Sequence, residues 1–305
     1  RTFLLEKHDG EFRPTTYKEC KAQALSIGAG LAAMGIQPKQ TVSILAEGCN
    51  NWIISELGLL YAGAISVPLS IKLEEANDLM FRLKHSDSKL IFVSNHQLRK
   101  VRSIVNELPD LKHVVVWGDV KDGLQEGEIS LESLKAMGDE YLKSNEESFR
   151  AIGASLKNDD IATITYTSGT TADPKGVVLT HRNYTANVEQ SLTVVHIPSS
   201  WRTLIILPLD HCFAHVVGFY IMIACGATVA TTEVGRTPME TLKNIPLNIK
   251  EVRPHFLLSV PALAKNFRKS IETNIRKKGK TTERLFNLAL KTSYAYQADG
   301  YTKGR

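Results

Sequence analysis

Twice along the chain an apolar helical run ends on glycine and passes straight into a short strand, first at Leu60-Tyr61-Ala62-Gly63-Ala64-Ile65-Ser66 and again at Ile223-Ala224-Cys225-Gly226-Ala227-Thr228-Val229. A helix that stops at glycine and re-enters a strand within two residues reads as the returning limb of a βαβ crossover, which points to an α/β chain. Neighbouring periodicities agree. A helix is expected from about Tyr17 to Met34, a buried strand over Thr41–Ala46, a helix over Trp52–Tyr61 capped by Asn50 and Asn51, and a strand over Ala64–Pro68 that Pro68 ends. Further on, Glu75–His85 reads as a helix, Leu90–Val93 and His113–Trp117 as strands, and Gln97–Leu108 as the helix joining them. The fold class expected is α/β, with repeated βαβ units forming mostly parallel sheets and helices on both faces. Residues 118–158 are charged and glycine-punctuated, with one helix near Leu131–Met137, so the boundary is placed there. It divides a first α/β subdomain, 1–157, from a second, 158–305, in keeping with about 150 residues per domain.

Charge and composition exclude several classes. The chain carries a formal +5 at pH 7, but nine basic and two acidic residues lie between Ala264 and Lys291, more than the whole excess, and no nucleic-acid motif accompanies them. Lys265, Arg268, Lys269, Arg276, Lys277, Lys278, Lys280 and Arg284 read most simply as a solvated helical face. A site for an acidic ligand, or peripheral membrane contact through Lys265–Arg284, is the alternative. The longest uncharged apolar run, Val216–Thr232, is short for a membrane span of ~20 residues and reads as buried helix, turn and strand. Cys20, Cys49, Cys212 and Cys225 form no CxxC pair, and Arg1–Glu6 has no signal-peptide character, so a reducing, cytoplasmic setting is expected.

The chemistry is concentrated after a β-rich run, Ile161–Thr167. Ser168-Gly169-Thr170-Thr171-Ala172-Asp173-Pro174-Lys175-Gly176 follows, and then the strand Val177-Val178-Leu179. Three hydroxyls, backbone amides freed by glycine and one lysine ammonium form the donor set that wraps phosphate oxygens. It is not a Walker A loop, because Lys175 is followed by Gly176 rather than Ser or Thr, and the next helix begins later, near Thr180.

This segment closely resembles the signature loop of the adenylate-forming superfamily, TSGTTGxPKG, departing from it at Ala172, where the family has glycine. Other segments add to the resemblance. Thr16-Tyr17 is similar to the family's "TYxEL" element and Tyr61–Leu69 to its "AGAxxVPL" element. Leu207-Pro208-Leu209-Asp210-His211 resembles the "LPLxH" element of acyl-CoA synthetases, and Ser259–Leu263 the "VP" region of long-chain fatty acyl-CoA synthetases. What the resemblance implies is the large N-terminal domain of an enzyme that joins a fatty acid to ATP as an acyl-adenylate and then forms a thioester with coenzyme A.

On that reading Thr167, Ser168, Gly169, Thr170, Thr171, Lys175 and Gly176 hold the ATP phosphates, Thr171 meets Mg2+, and Lys175 and His211 are the catalytic side chains, His211 beside the carboxylate. Phe213, Val216, Val217, Phe219 and Tyr220 are expected either to line an acyl tunnel or simply to pack the core. His211 and His215 stand four apart, as two ligands on a helix would, but no third ligand is near and zinc is not expected. A "YGxTE" segment, a later ribose-binding aspartate and a C-terminal lid domain with its lysine are not found, so the 305 residues are expected to be a portion unable to complete adenylation alone. A carrier-protein-loading acyl-AMP ligase, an amino-acid-activating domain or a non-catalytic nucleotide-binding module are the alternatives.

Overall fold

β1 (Thr2–His8) and β2 (Glu11–Thr16) form an opening hairpin that ends on Thr16, the cap of α1 (Tyr17–Ala33). The Thr16 hydroxyl accepts from the Glu19 amide at 3.2 Å while the Glu19 carboxylate accepts from the Thr16 amide at 2.7 Å, a reciprocal capping box that fixes where the helix starts. Strands and helices then alternate through β3 (Thr41–Leu45), α2 (Asn50–Tyr61), β4 (Ile65–Leu69), α3 (Ala76–His85), β5 (Leu90–Ser94), α4 (Leu98–Arg102), β6 (His113–Trp117), β7 (Glu128–Ser130) and α5 (Leu131–Ser155). After them come β8 (Ile161–Thr167), β9 (Lys175–Thr180), α6 (His181–Val194), β10 (Arg202–Ile205), α7 (Cys212–His215), a π turn over Val216–Tyr220, α8 (Ile221–Cys225), β11 (Thr228–Thr231) and α9 (Pro238–Val252). This computed structural model describes residues 1–167, 174–235, 237–259 and 261–297. Contacts divide the chain into two units. Arg1–Leu258 holds the elements above, and Ser259–Arg305 holds α10 (Pro261–Lys277) and α11 (Lys280–Tyr296).

Seven strands form one sheet in the order β7, β6, β5, β3, β4, β8, β9, parallel throughout except where β9 folds back antiparallel on β8. The second sheet runs β10, β11, β1, β2, parallel except for the opening hairpin. Helices cover both faces of the larger sheet, and β5 displays the reason for its uninterrupted apolar sequence. Leu90 and Phe92 face a core shared with Ile27, Trp52, Leu134 and Phe149, while Ile91 and Val93 face another shared with Leu79, Leu83, Leu98 and Val101.

The boundary expected between 157 and 158 does not separate the sheets. β8 and β9 complete the sheet begun by β3, and β1, with β2 on its outer side, pairs with β11, formed more than two hundred residues later, as in the Leu4–Val229 partnership. Four local expectations are also corrected. Cys49, not Asn50 or Asn51, stands at the N-cap of α2 without a side-chain cap, and the Asn50 amide instead donates to the Glu6 carboxylate of β1 at 3.3 Å. Pro68 does not end β4, which continues to Leu69. Because the Ile65 amide donates to Gln40 on the β3 side, the proline nitrogen faces β8, which meets β4 in register only at Ser66 and Thr163, so no ladder bond is lost. The expected helix Gln97–Leu108 is broken into α4 and a short 3-10 turn, Val105–Glu107. The short helix expected at Leu131–Met137 is the first part of α5, which is 25 residues long.

Candidate functional site

Two turns on Arg1–Leu258 carry the side chains singled out by sequence. The first belongs to the β8–β9 hairpin, in which Tyr166 pairs with Gly176 and Thr167 with Lys175. Ser168, Gly169, Thr170, Thr171 and Ala172 lie outside the described residues, between those partners. Thr167 and Lys175 are exposed at the strand ends, so Lys175 is the first residue of a strand rather than a loop residue. The hairpin is tied back by Tyr166, whose hydroxyl lies 2.8 Å from His85 Nδ1 of α3, and by the Thr180 cap of α6.

The second turn follows β10. His211 caps α7, its Nδ1 accepting from the Phe213 amide at 3.3 Å, which leaves Nε2 to carry the proton of the neutral ring. His211 is exposed and Phe213 is 49% exposed. Val216 and Phe219 point the other way, into the core beside Trp52, while Val217 and Tyr220 are half-buried. The five side chains expected around an acyl tunnel are thus divided between surface and core. Phe213→Ala is expected to change stability by less than about 0.5 kcal/mol while altering which acids are accepted, and a thermal melt beside a substrate panel checks both; unchanged acid preference removes Phe213 from the pocket. Among the described residues no hydrogen bond or ion pair joins Lys175 directly to His211.

Behind these turns lies a polar cluster that sequence reasoning missed. Glu56 of α2 is fully buried, accepting from the Ser66 hydroxyl of β4 and, at 3.3 Å, from the Tyr220 hydroxyl of the π turn. With no cation beside it, loss of hydration pushes its carboxyl up to about 7. His215 is also fully buried, hydrogen-bonded to the Leu209 carbonyl and Tyr184, and burial lowers its imidazole to about 4. Tyr184 and Tyr220 pack edge to face at 5.2 Å, and burial raises both phenols. The sequence signal for Glu56 is that it is the one charged residue in Trp52–Tyr61, a helix buried almost all round.

No group of three His, Cys, Asp or Glu side chains among the described residues could hold a metal ion, and Thr171, the expected Mg2+ contact, lies outside them. His211, at the surface, and His215, in the core, do not form a ligand pair. No described helix is long and apolar enough to cross a membrane. Lys265, Arg268, Lys269, Arg276 and Lys277 lie on α10, Lys280, Arg284 and Lys291 on α11, and Lys278 between them; Arg268 pairs with Glu272 at 2.9 Å and Arg276 with Glu283 at 3.5 Å.

The family model described as AMP-binding enzyme matches residues 1–293. The chain belongs to that family. As an AMP-binding enzyme chain it is 32% identical over 286 residues to the peroxisomal long chain acyl-CoA synthetase 6 of Arabidopsis thaliana, covering 92% of this chain and 39% of the relative. It is 26% identical over 305 residues to the chloroplastic long-chain-fatty-acid–[acyl-carrier-protein] ligase AEE15 of the same plant, covering 97% of this chain and 41% of the relative. The chain therefore spans about two fifths of the length of these relatives. The solved anthranilate CoA ligase AuaEII in complex with anthranoyl-AMP superposes with a TM-score of 0.68 at 22% identity, over 84% of this chain and 46% of that one. A benzoate CoA ligase from Burkholderia xenovorans LB400 gives 0.68 at 21%, over 86% and 47%. These two likenesses show that this AMP-binding enzyme chain has the same fold as the matched parts of those two CoA ligases.

Proposed function

We propose that the protein carrying this chain is a long-chain fatty acyl-CoA synthetase. A fatty acid carboxylate attacks the α-phosphate of ATP, pyrophosphate leaves, and the thiol of coenzyme A then takes the acyl group from the adenylate with release of AMP. The observation that carries this reading is the 32% identity, over 92% of the chain, to a peroxisomal long chain acyl-CoA synthetase. The chemistry asks for charge management, since a carboxylate and a triphosphate repel and negative charge grows on the departing pyrophosphate. Lys175 is the side chain assigned to that charge, with Thr167, Gly176 and residues 168–171 as further phosphate donors. His211, whose Nδ1 accepts from the Phe213 amide and whose Nε2 is left to meet the substrate, is assigned to the carboxylate. Mg2+ accompanies ATP in this proposal through Thr171, and no step is assigned to it because the described residues offer no acidic cluster for it.

A second reading has a specific observation behind it: the 26% identity over 97% of the chain to a ligase that loads acyl-carrier protein. One experiment separates the two. ATP–pyrophosphate exchange is driven in the protein that carries this chain by carboxylates from acetate to palmitate, and the acyl group is then offered to coenzyme A or to a phosphopantetheinylated carrier protein. Exchange that peaks with long acids and discharges to coenzyme A is the expected result; discharge only to the carrier selects the second reading, and no exchange with any acid sinks both.

A further inference from the structure

A continuous line of hydrogen bonds runs through the core from the strand of the first turn to the backbone of the second. Thr163 lies in β8, four residues before Thr167, and its Oγ1 is 2.7 Å from the Tyr184 hydroxyl of α6. That hydroxyl is 3.3 Å from His215 Nδ1, and His215 Nε2 is 2.7 Å from the carbonyl oxygen of Leu209, two residues before His211. A carbonyl can only accept, so Nε2 carries the proton; Nδ1 therefore accepts from Tyr184, and Tyr184 accepts from Thr163. The direction of every bond is fixed by the last one.

The residues along this line are buried. The imidazole is closed in by Trp52 at 5.1 Å, Phe219 at 5.6 Å and Tyr220 at 6.2 Å between ring centroids. A leucine would fill such a space with no polar atoms to satisfy, whereas a fully paired polar line in a low-dielectric core specifies one arrangement. What it specifies is the turn. The His215 side chain closes on the Leu209 backbone six residues earlier, and inside that closure the Ala214 amide donates to the His211 carbonyl at 2.8 Å and the Phe213 amide to the His211 ring.

We propose that His215 is a positioning residue, holding the turn that carries His211 in register with the strand that leads into residues 168–173. The inference rests on the reading of that turn as the carboxylate site. Burial, which keeps the imidazole neutral at physiological pH, supports it by leaving one tautomer and one bonding pattern.

The test uses the protein that carries this chain with His215→Leu, His215→Gln and Tyr184→Phe, and reads three quantities on each: thermal midpoint, amide hydrogen exchange at Phe213 and Ala214, and carboxylate-dependent ATP–pyrophosphate exchange. His215→Leu is expected to speed amide exchange at Phe213 and Ala214 at least tenfold and to lower kcat at least tenfold, with KM for ATP changed less than twofold. His215→Gln, whose amide nitrogen replaces Nε2 as donor to Leu209, is expected to restore both to within threefold of the parent, and Tyr184→Phe to fall between. Unchanged amide exchange in a folded His215→Leu, or a lowered thermal midpoint with kcat intact, overturns the proposal. If His215→Leu does not fold, the same two criteria are applied to Tyr184→Phe. A parent protein inactive with every acid defeats the proposed function instead, and amide exchange alone then decides the positioning role.

Discussion

Lys175→Ala is expected to lower carboxylate-driven ATP–pyrophosphate exchange about a hundredfold or more, the usual penalty for removing a group that meets charge developing in a transition state. The loss belongs in kcat as well as in the KM for ATP, because the pyrophosphate carries more charge on departing than it does when bound. Stability is a clean control. Lys175 is exposed at the first position of β9, so alanine there changes the thermal midpoint little. Lys175→Arg keeps the charge but replaces a point ammonium with a planar fork, and an intermediate rate is expected. Exchange within threefold of the parent in a folded Lys175→Ala removes this lysine from the phosphate site.

Glu56→Gln is expected to reshape the dependence of stability on pH. The Glu56 carboxyl titrates near 4.5 when unfolded and at about 7 in the fold, so between those values the native state holds more protons than the unfolded state and stability falls as pH rises. The full effect is about 3 kcal/mol above pH 7. His215 acts with the opposite sign. Its imidazole falls from 6.5 to about 4 on folding, so its contribution is complete above pH 6.5 and is lost as pH drops towards 4. Between about 4.5 and 6.5 the two slopes oppose each other in the native protein. The glutamine variant removes one of them: relative to the parent it gains about 3 kcal/mol above pH 7 and loses stability more steeply on acidification. Urea unfolding at half-unit steps from pH 4.5 to 8 measures the difference, and a parent-minus-variant curve that is flat with pH refutes a buried carboxyl raised by loss of hydration.

Much of the architecture was legible because the central strands of the larger sheet, β3 to β6, are buried on both faces and write themselves as short apolar runs, while β8 shows as a β-rich, partly alternating run. Thr41–Leu45, Leu90–Ser94, His113–Trp117 and Ile161–Thr167 could be read to within a residue or so. What escaped was set by contacts between distant segments. Residues 131–155 look like a charged connector, and Gly138 looks like a break, yet a Cβ at Gly138 would stand 1.8 Å from the Ser26 carbonyl oxygen and one at Gly30 would stand 2.3 Å from that of Leu134. The glycines are notches that let α5 lie against α1, and a helix-breaking residue and a packing notch look alike in one sequence. The candidate site divides in the same way. Lys175 and His211 could be found because their segments resemble known motifs, while Thr163, Tyr184, Ser66 and the carboxyl of Glu56 come from four separate elements and meet only after folding.

The pairing of Leu4 with Val229 has a consequence for how the protein is made. At about 5–20 residues per second, a ribosome that has released β1 needs roughly ten to forty seconds more before β11 exists to lie beside it. During that interval the opening hairpin has an apolar edge with no native partner, which is the kind of edge that recruits other chains. A nascent chain of this design depends on whatever holds residues 2–8 apart from their neighbours until residues 228–231 emerge.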